Sequence, residues 1–132
     1  MFAKYLLMIY SENPDGLMKF YRDVLDLKIE KKLTLPNDYG YMFEVNGDFR
    51  LWIARHSEVK GKNEDYFRHI FTLYTDEVQK WYEKIRNVKG VKIICKPELT
   101  PTATKEDPRY VCTFLDPEGN CWQFLGQLSK EK

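Results

Sequence analysis

One order of elements runs through the chain twice, and this repetition constrains the fold more than any single motif. Residues 3–10 form a short apolar run closed by Ser-Glu-Asn-Pro-Asp and read as a buried strand. A helix follows, with Asn13 as N-cap, Pro14 at its first position, and Leu17, Phe20, Tyr21, Val24 and Leu25 spaced along one face. Residues 28–35 alternate apolar and polar side chains. Residues 39–45 and 49–55 flank Asn46-Gly47-Asp48, a strong hairpin signal. A polar stretch from His56 to Asp65 has no periodicity and the composition of a linker.

The order then restarts. Residues 66–75 are strand-like, and Thr75 or Asp76 caps a helix with the stripe Val78, Trp81, Tyr82, Ile85 and Val88, stopped by Gly90. Residues 91–95, 109–115 and 121–126 supply three more strands, and the proline-rich stretch 96–108 is a long loop of the kind that borders sites. Lys19-Phe20-Tyr21 in the first helix matches Lys80-Trp81-Tyr82 in the second. Two copies are too few for a solenoid, so the modules must bury their faces on each other. The expected fold is α+β, two βαβββ modules in one domain over residues 1–132. The first covers about 1–56, the linker about 57–65 and the second about 66–127.

Charge and cysteine usage exclude several functions. Twenty-one Lys and Arg against twenty Asp and Glu leave a net charge of +1, too little to recruit nucleic acid or an anionic membrane. Cys95, Cys112 and Cys121 are odd in number and lack Cys-x-x-Cys spacing, as expected of buried reduced thiols in a cytoplasmic protein. The first ten residues carry one basic residue and no small-residue cleavage site, so they read as a strand and not a signal peptide. No run reaches the roughly 20 apolar residues of a membrane span.

The last hairpin is the most specified local element. An apolar run enters Asp116-Pro117-Glu118-Gly119-Asn120 and a second, Cys121-Trp122-Gln123-Phe124-Leu125, leaves it. Pro117 presets φ, Gly119 supplies a positive φ, and Asp116 and Asn120 can bond local backbone.

Together with the two modules and the segment Asn13-Pro14 to Phe20-Tyr21-Arg22-Asp23-Val24-Leu25, this ending resembles the vicinal oxygen chelate superfamily of glyoxalase I, bleomycin-resistance proteins and extradiol dioxygenases. The turn looks most like that of the bleomycin-resistance proteins. The resemblance implies a curved, mostly antiparallel sheet with helices outside, a concave ligand face, and commonly a homodimer.

It also implies a place for a divalent metal, between the first and last strands of a module. The first module offers Leu6 and then Leu51 or Trp52 there, none of them a usual ligand. The second offers His69, or Ile70 by an alternative count, and Gln123 where the metalloenzymes usually carry glutamate. One imidazole and one carboxamide leave a dication's burial uncompensated, so His69 and Gln123 are weak metal candidates and no cofactor is expected.

Without a metal the lyase and dioxygenase reactions lose their Lewis acid. No Ser-His-Asp, Cys-His or phosphate-loop signature replaces it. Aromatic residues are plentiful on the strands, and half of them should face a cavity by alternation. The expected ligand-binding set is Trp52, Tyr41, Phe43, His69, Tyr110, Cys112 and Gln123, with Arg109 beside the long loop as a partner for an acidic group. The sequence therefore points to a metal-free binding protein for an aromatic or amphipathic small molecule. The alternative is a metal-dependent lyase or dioxygenase of the same superfamily.

Overall fold

The computed structural model describes residues 1–130. Eight strands and two helices follow in the order β1 Tyr5–Ser11, α1 Pro14–Lys19, β2 Lys28–Leu35, β3 Asp38–Asn46, β4 Phe49–Arg55, β5 Ile70–Tyr74, α2 Val78–Ile85, β6 Lys92–Leu99, β7 Tyr110–Leu115 and β8 Cys121–Gly126. They divide into two compact units, Met1–Lys62 and the chain from Asn63 onward. Each unit is one four-stranded sheet, in the orders β1-β4-β3-β2 and β5-β8-β7-β6. In both, the first strand lies parallel to the last and the remaining pairs are antiparallel. The repeated βαβββ architecture is thus present, each unit with its own open sheet.

In the first unit the helix begins as its sequence dictates. The Asn13 side chain accepts from the Gly16 N–H at 3.1 Å, and Pro14, which has no N–H to lose, opens the helix. The expected continuation to Leu25 exists but widens into a π-helical turn over Phe20–Val24, with the Leu25 N–H reaching the Phe20 carbonyl at 3.1 Å. Asp26 then adopts φ 58°, a left-handed conformation that ends the helix. Leu17, Met18, Phe20, Tyr21 and Leu25 are buried with Ile9, Phe43, Leu51 and Ile53. The Asn46 hairpin forms as read, its side-chain oxygen accepting from the N–H groups of Asp48 and Phe49.

The second unit starts differently from its sequence reading. Strand β5 is only Ile70–Tyr74, because residues 66–68 are occupied by turns and Arg68 pairs with Asp65. Helix α2 has no side-chain cap at its N-terminus. Its first free N–H groups, on Val78 and Gln79, donate instead to the carbonyls of Gln127 and Leu128 at 3.0 Å, so the segment after β8 caps the helix. That route requires glycine at 126, where φ is 149° and a Cβ would collide with the Thr75 carbonyl. Strand β6 runs on to Leu99, four residues past the expected end.

The segment ending the polar stretch also belongs to this unit. The Asn63 N–H donates to the Glu118 carbonyl and the Asn63 side chain to the Gly119 carbonyl, both at 2.8 Å. Asp116, 1% exposed, holds the turn itself: Oδ1 accepts from the N–H groups of Glu118 and Asn120, and Oδ2 from the Asn120 side chain. No helix among the described residues is long and apolar enough to cross a membrane.

Candidate functional site

Strand register sorts every side chain onto the helix-covered face or the open face of its sheet. Tyr21 meets Phe43 at 6.4 Å, which places Phe43 on the covered face of the first unit together with its register partner Leu51. The alternate residues form the open face in cross-strand rows. Its middle row is Met8, Trp52, Met42 and Lys31, flanked by Leu6, Arg50 and Glu44 on one side and by Tyr10, Ala54, Gly40 and Leu33 on the other.

In the second unit Trp81 stacks on Phe124 at 5.7 Å, and Phe114 lies 5.0 Å from the same ring, so these aromatics mark the covered face. The middle row of the open face is Thr72, Gln123, Thr113 and Cys95, all half-buried. It is polar throughout, whereas the corresponding row of the first unit is built from two thioethers and an indole and ends on Lys31. Gln123 Nε2 donates to Thr72 Oγ1 at 2.8 Å. That bond aims the carboxamide along the row and leaves its oxygen as an acceptor. Ile70, Cys121 and Leu115 border the row on one side, and Tyr74, Leu125 and Val111 on the other. The Cys95 thiol is pushed up by burial and by the neighbouring Glu98, which disfavours the thiolate.

The expected site residues do not gather in one place. Gln123 lies on the open face of the second unit and Trp52 on that of the first, where it is 4% exposed and offers little free surface. Phe43 and Cys112 are 0% exposed on the covered faces, so both belong to the core and not to a ligand surface. Burial pushes the Cys112 thiol up to about 12. Tyr41 shares the covered face with Phe43, and its hydroxyl is 2.6 Å from Asp15 Oδ1 on α1. Tyr110, half-buried, pairs with Gly126 on the same side of its sheet as Cys112. His69 precedes β5 and is exposed. Arg109 engages Asp107 at 3.0 Å beside a cavity of about 580 Å³ that Tyr74, Asp76 and Leu125 also line.

Thr72 and Thr113 were not anticipated. A signal for Thr72 was present: it is the polar residue of β5 that shares its parity with Ile70 and Tyr74.

The donor chemistry of each open face can be tested against a divalent cation. The first and last strands of the first unit present Leu6, Met8, Tyr10, Arg50, Trp52 and Ala54; those of the second present Ile70, Thr72, Tyr74, Cys121, Gln123 and Leu125. No carboxylate or imidazole is among them, burial keeps the Cys121 thiol up, and Gln123 is engaged with Thr72. No three His, Cys, Asp or Glu side chains come together among the described residues. The residues of either face do not fit a dication, which needs several converging donors and a balancing charge.

A pair of βαβββ units, each with a helix-covered and an open sheet face, defines a paired-module α+β protein. The chain belongs to the Glyoxalase/Bleomycin resistance protein/Dioxygenase superfamily, whose family model matches residues 6–124. Solved structures share the fold at low identity. A superfamily member from Sphaerobacter thermophilus is 15% identical over 95% of this chain and 97% of its own, with a TM-score of 0.73. An antibiotic binding protein from a Streptomyces species is 15% identical over 96% of each chain, with a TM-score of 0.70. A glyoxalase I variant from Zea mays is 19% identical over 95% of this chain but 45% of its own, with a TM-score of 0.69. No curated protein matches the chain.

Proposed function

We propose that this protein binds a small aromatic or amphipathic molecule without the help of a metal, on the open face of the β5-β8-β7-β6 sheet. The observation that carries this reading is the half-buried polar row Thr72, Gln123, Thr113, bordered by apolar side chains. Small-molecule sites combine an apolar lining with a few placed polar groups. Here the carboxamide oxygen of Gln123 would accept from a ligand donor, while the Thr72 hydroxyl, held as an acceptor by Gln123, would donate outward. Tyr74, 75% exposed, and Ile70, 44% exposed, would supply apolar cover.

The likeness to an antibiotic binding protein supports a sequestering role over a chemical one. The lack of a carboxylate on the first and last strands of either open face weighs the same way. A cytoplasmic homodimer is part of the proposal, carried by the family resemblance and by the three unpaired cysteines.

The competing reading, a metal-dependent lyase or dioxygenase, rests on the likeness to a glyoxalase I. Elemental analysis of untagged protein separates the two. Substoichiometric zinc, nickel, manganese and iron are expected, and one tightly held ion per chain would overturn the binding-protein reading.

A further inference from the structure

The first unit holds a second cavity, of about 330 Å³, walled by the β2–β3 turn at Pro36 and Asn37, by Asp38 and Tyr39 at the start of β3, and by Arg55, His56 and Ser57 at the end of β4. From its chemistry we infer that this cavity is a carboxylate-binding site, independent of the open face of β5–β8.

Two phenols, Tyr39 and Tyr41, point their hydroxyls at the same oxygen of Asp15, at 2.5 and 2.6 Å. That carboxylate is held by the two tyrosines, and Lys32 and Arg55 act on it only through space. The Arg55 guanidinium carbon lies over the Tyr39 ring, 4.4 Å from its centroid, and Lys32 stands 5.4 Å from the same ring. Stacking fixes the plane of a guanidinium while leaving its edge, with its fork of N–H donors, free for a planar anion. Among the described residues the Arg55 side chain has no ion pair or hydrogen bond, in contrast to Arg109, which Asp107 engages beside its cavity in the second unit.

The neighbouring groups add donors in fixed positions. His56 accepts the Glu58 N–H on Nδ1 at 3.0 Å and meets the Tyr10 ring edge-on at 5.0 Å. A neutral imidazole so held carries its proton on Nε2 and can donate from there. Ser57 contributes a hydroxyl on the same wall. Asp38 lies on the opposite wall and offsets the charge of Arg55, so the lining as a whole is neutral. This favours a monoanionic carboxylate, which a guanidinium fork grips in bidentate fashion, over a dianionic phosphate.

The test is a titration of the full chain with benzoate at constant ionic strength, followed by the side-chain NMR signals of Arg55 and His56, with neutral benzamide as the matched control. Saturating shifts with benzoate and none with benzamide are expected. Arg55→Met should weaken binding at least tenfold and Arg55→Lys several-fold, because the ammonium keeps the charge but loses the fork. Arg22→Met, which removes an exposed charge elsewhere in the unit, should change nothing. Gln123→Leu should leave the benzoate response intact, so that failure here and failure of the proposed ligand face can be told apart. Absence of saturable shifts, an equal response to benzamide, or an unchanged response in Arg55→Met would overturn the inference.

Discussion

Gln123 Nε2 donates to Thr72 Oγ1 at 2.8 Å across the parallel pair β5 and β8, and this one bond fixes the polar character of the open face. At the position where the family resemblance implies a metalloenzyme's glutamate, a neutral amide is oriented by a neighbour. Changing Gln123 to Glu therefore supplies a carboxylate but no second and third ligand. Isothermal titration of Gln123→Glu with zinc or nickel should show no stoichiometric high-affinity binding; a tight one-to-one isotherm would show that donors converge there after all.

The Asp116 turn should be the most sensitive polar site for stability. Its carboxylate is 1% exposed and accepts two backbone N–H groups and an amide. Hydrogen bonds to a charged group contribute about 1.5–3 kcal/mol each, so Asp116→Ala should cost at least about 2–3 kcal/mol. Urea denaturation would show this as a lower midpoint at an unchanged slope.

Two glycines in hairpin turns should differ in how well they tolerate alanine. At Gly119, φ is 86° and a Cβ would collide with the Asn63 carbonyl, whereas nothing lies within 4 Å of a Cβ at Gly47. Gly119→Ala should lose more than about 1 kcal/mol, and Gly47→Ala should stay within about 0.5 kcal/mol, in the same denaturation assay.

Acid should weaken the first unit through Asp15. Hydrogen bonds from Tyr39 and then Tyr41, together with Lys32 and Arg55, hold its carboxyl below the ordinary 3.8. A carboxyl depressed in the folded state contributes stability that is present above its unfolded value and lost as pH falls through the folded value. Asp15→Asn should flatten the stability profile below about pH 4, a small effect because the group is solvent-exposed. An unchanged acid limb would show that the two tyrosine bonds contribute nothing.

Thiol labelling at pH 8 should separate the three cysteines. Cys95 is half-buried and reacts first, though slowly, since burial and Glu98 disfavour its thiolate. Cys112, pushed up to about 12, and Cys121, 1% exposed, should label only with unfolding.

What the sequence made legible was governed by short-range chemistry. Asn13-Pro14, Asn46-Gly47-Asp48 and Asp116 to Asn120 each specify a cap or turn from adjacent residues, and the repeated element order gave the architecture. What escaped depended on register. A shift of one residue reverses a strand's faces, so the order of residues alone left Phe43 and Cys112 as ligand candidates when both lie under the helices. The same dependence hid Thr72, whose place beside Gln123 is set by the register of β5 against β8. The widening of the first helix at Phe20–Val24 also leaves no mark in its apolar spacing.

The central claim is metal-free ligand binding on the β5–β8 face, and it is tested most directly by thermal shift of chelator-treated protein against a panel of aromatic and amphipathic compounds, run beside Gln123→Leu and Thr72→Val. At least one compound should raise the melting temperature of the wild type in a dose-dependent way. That gain should shrink in both variants. Stabilisation that appears only after a divalent metal is restored, or that survives intact in both variants, would contradict it.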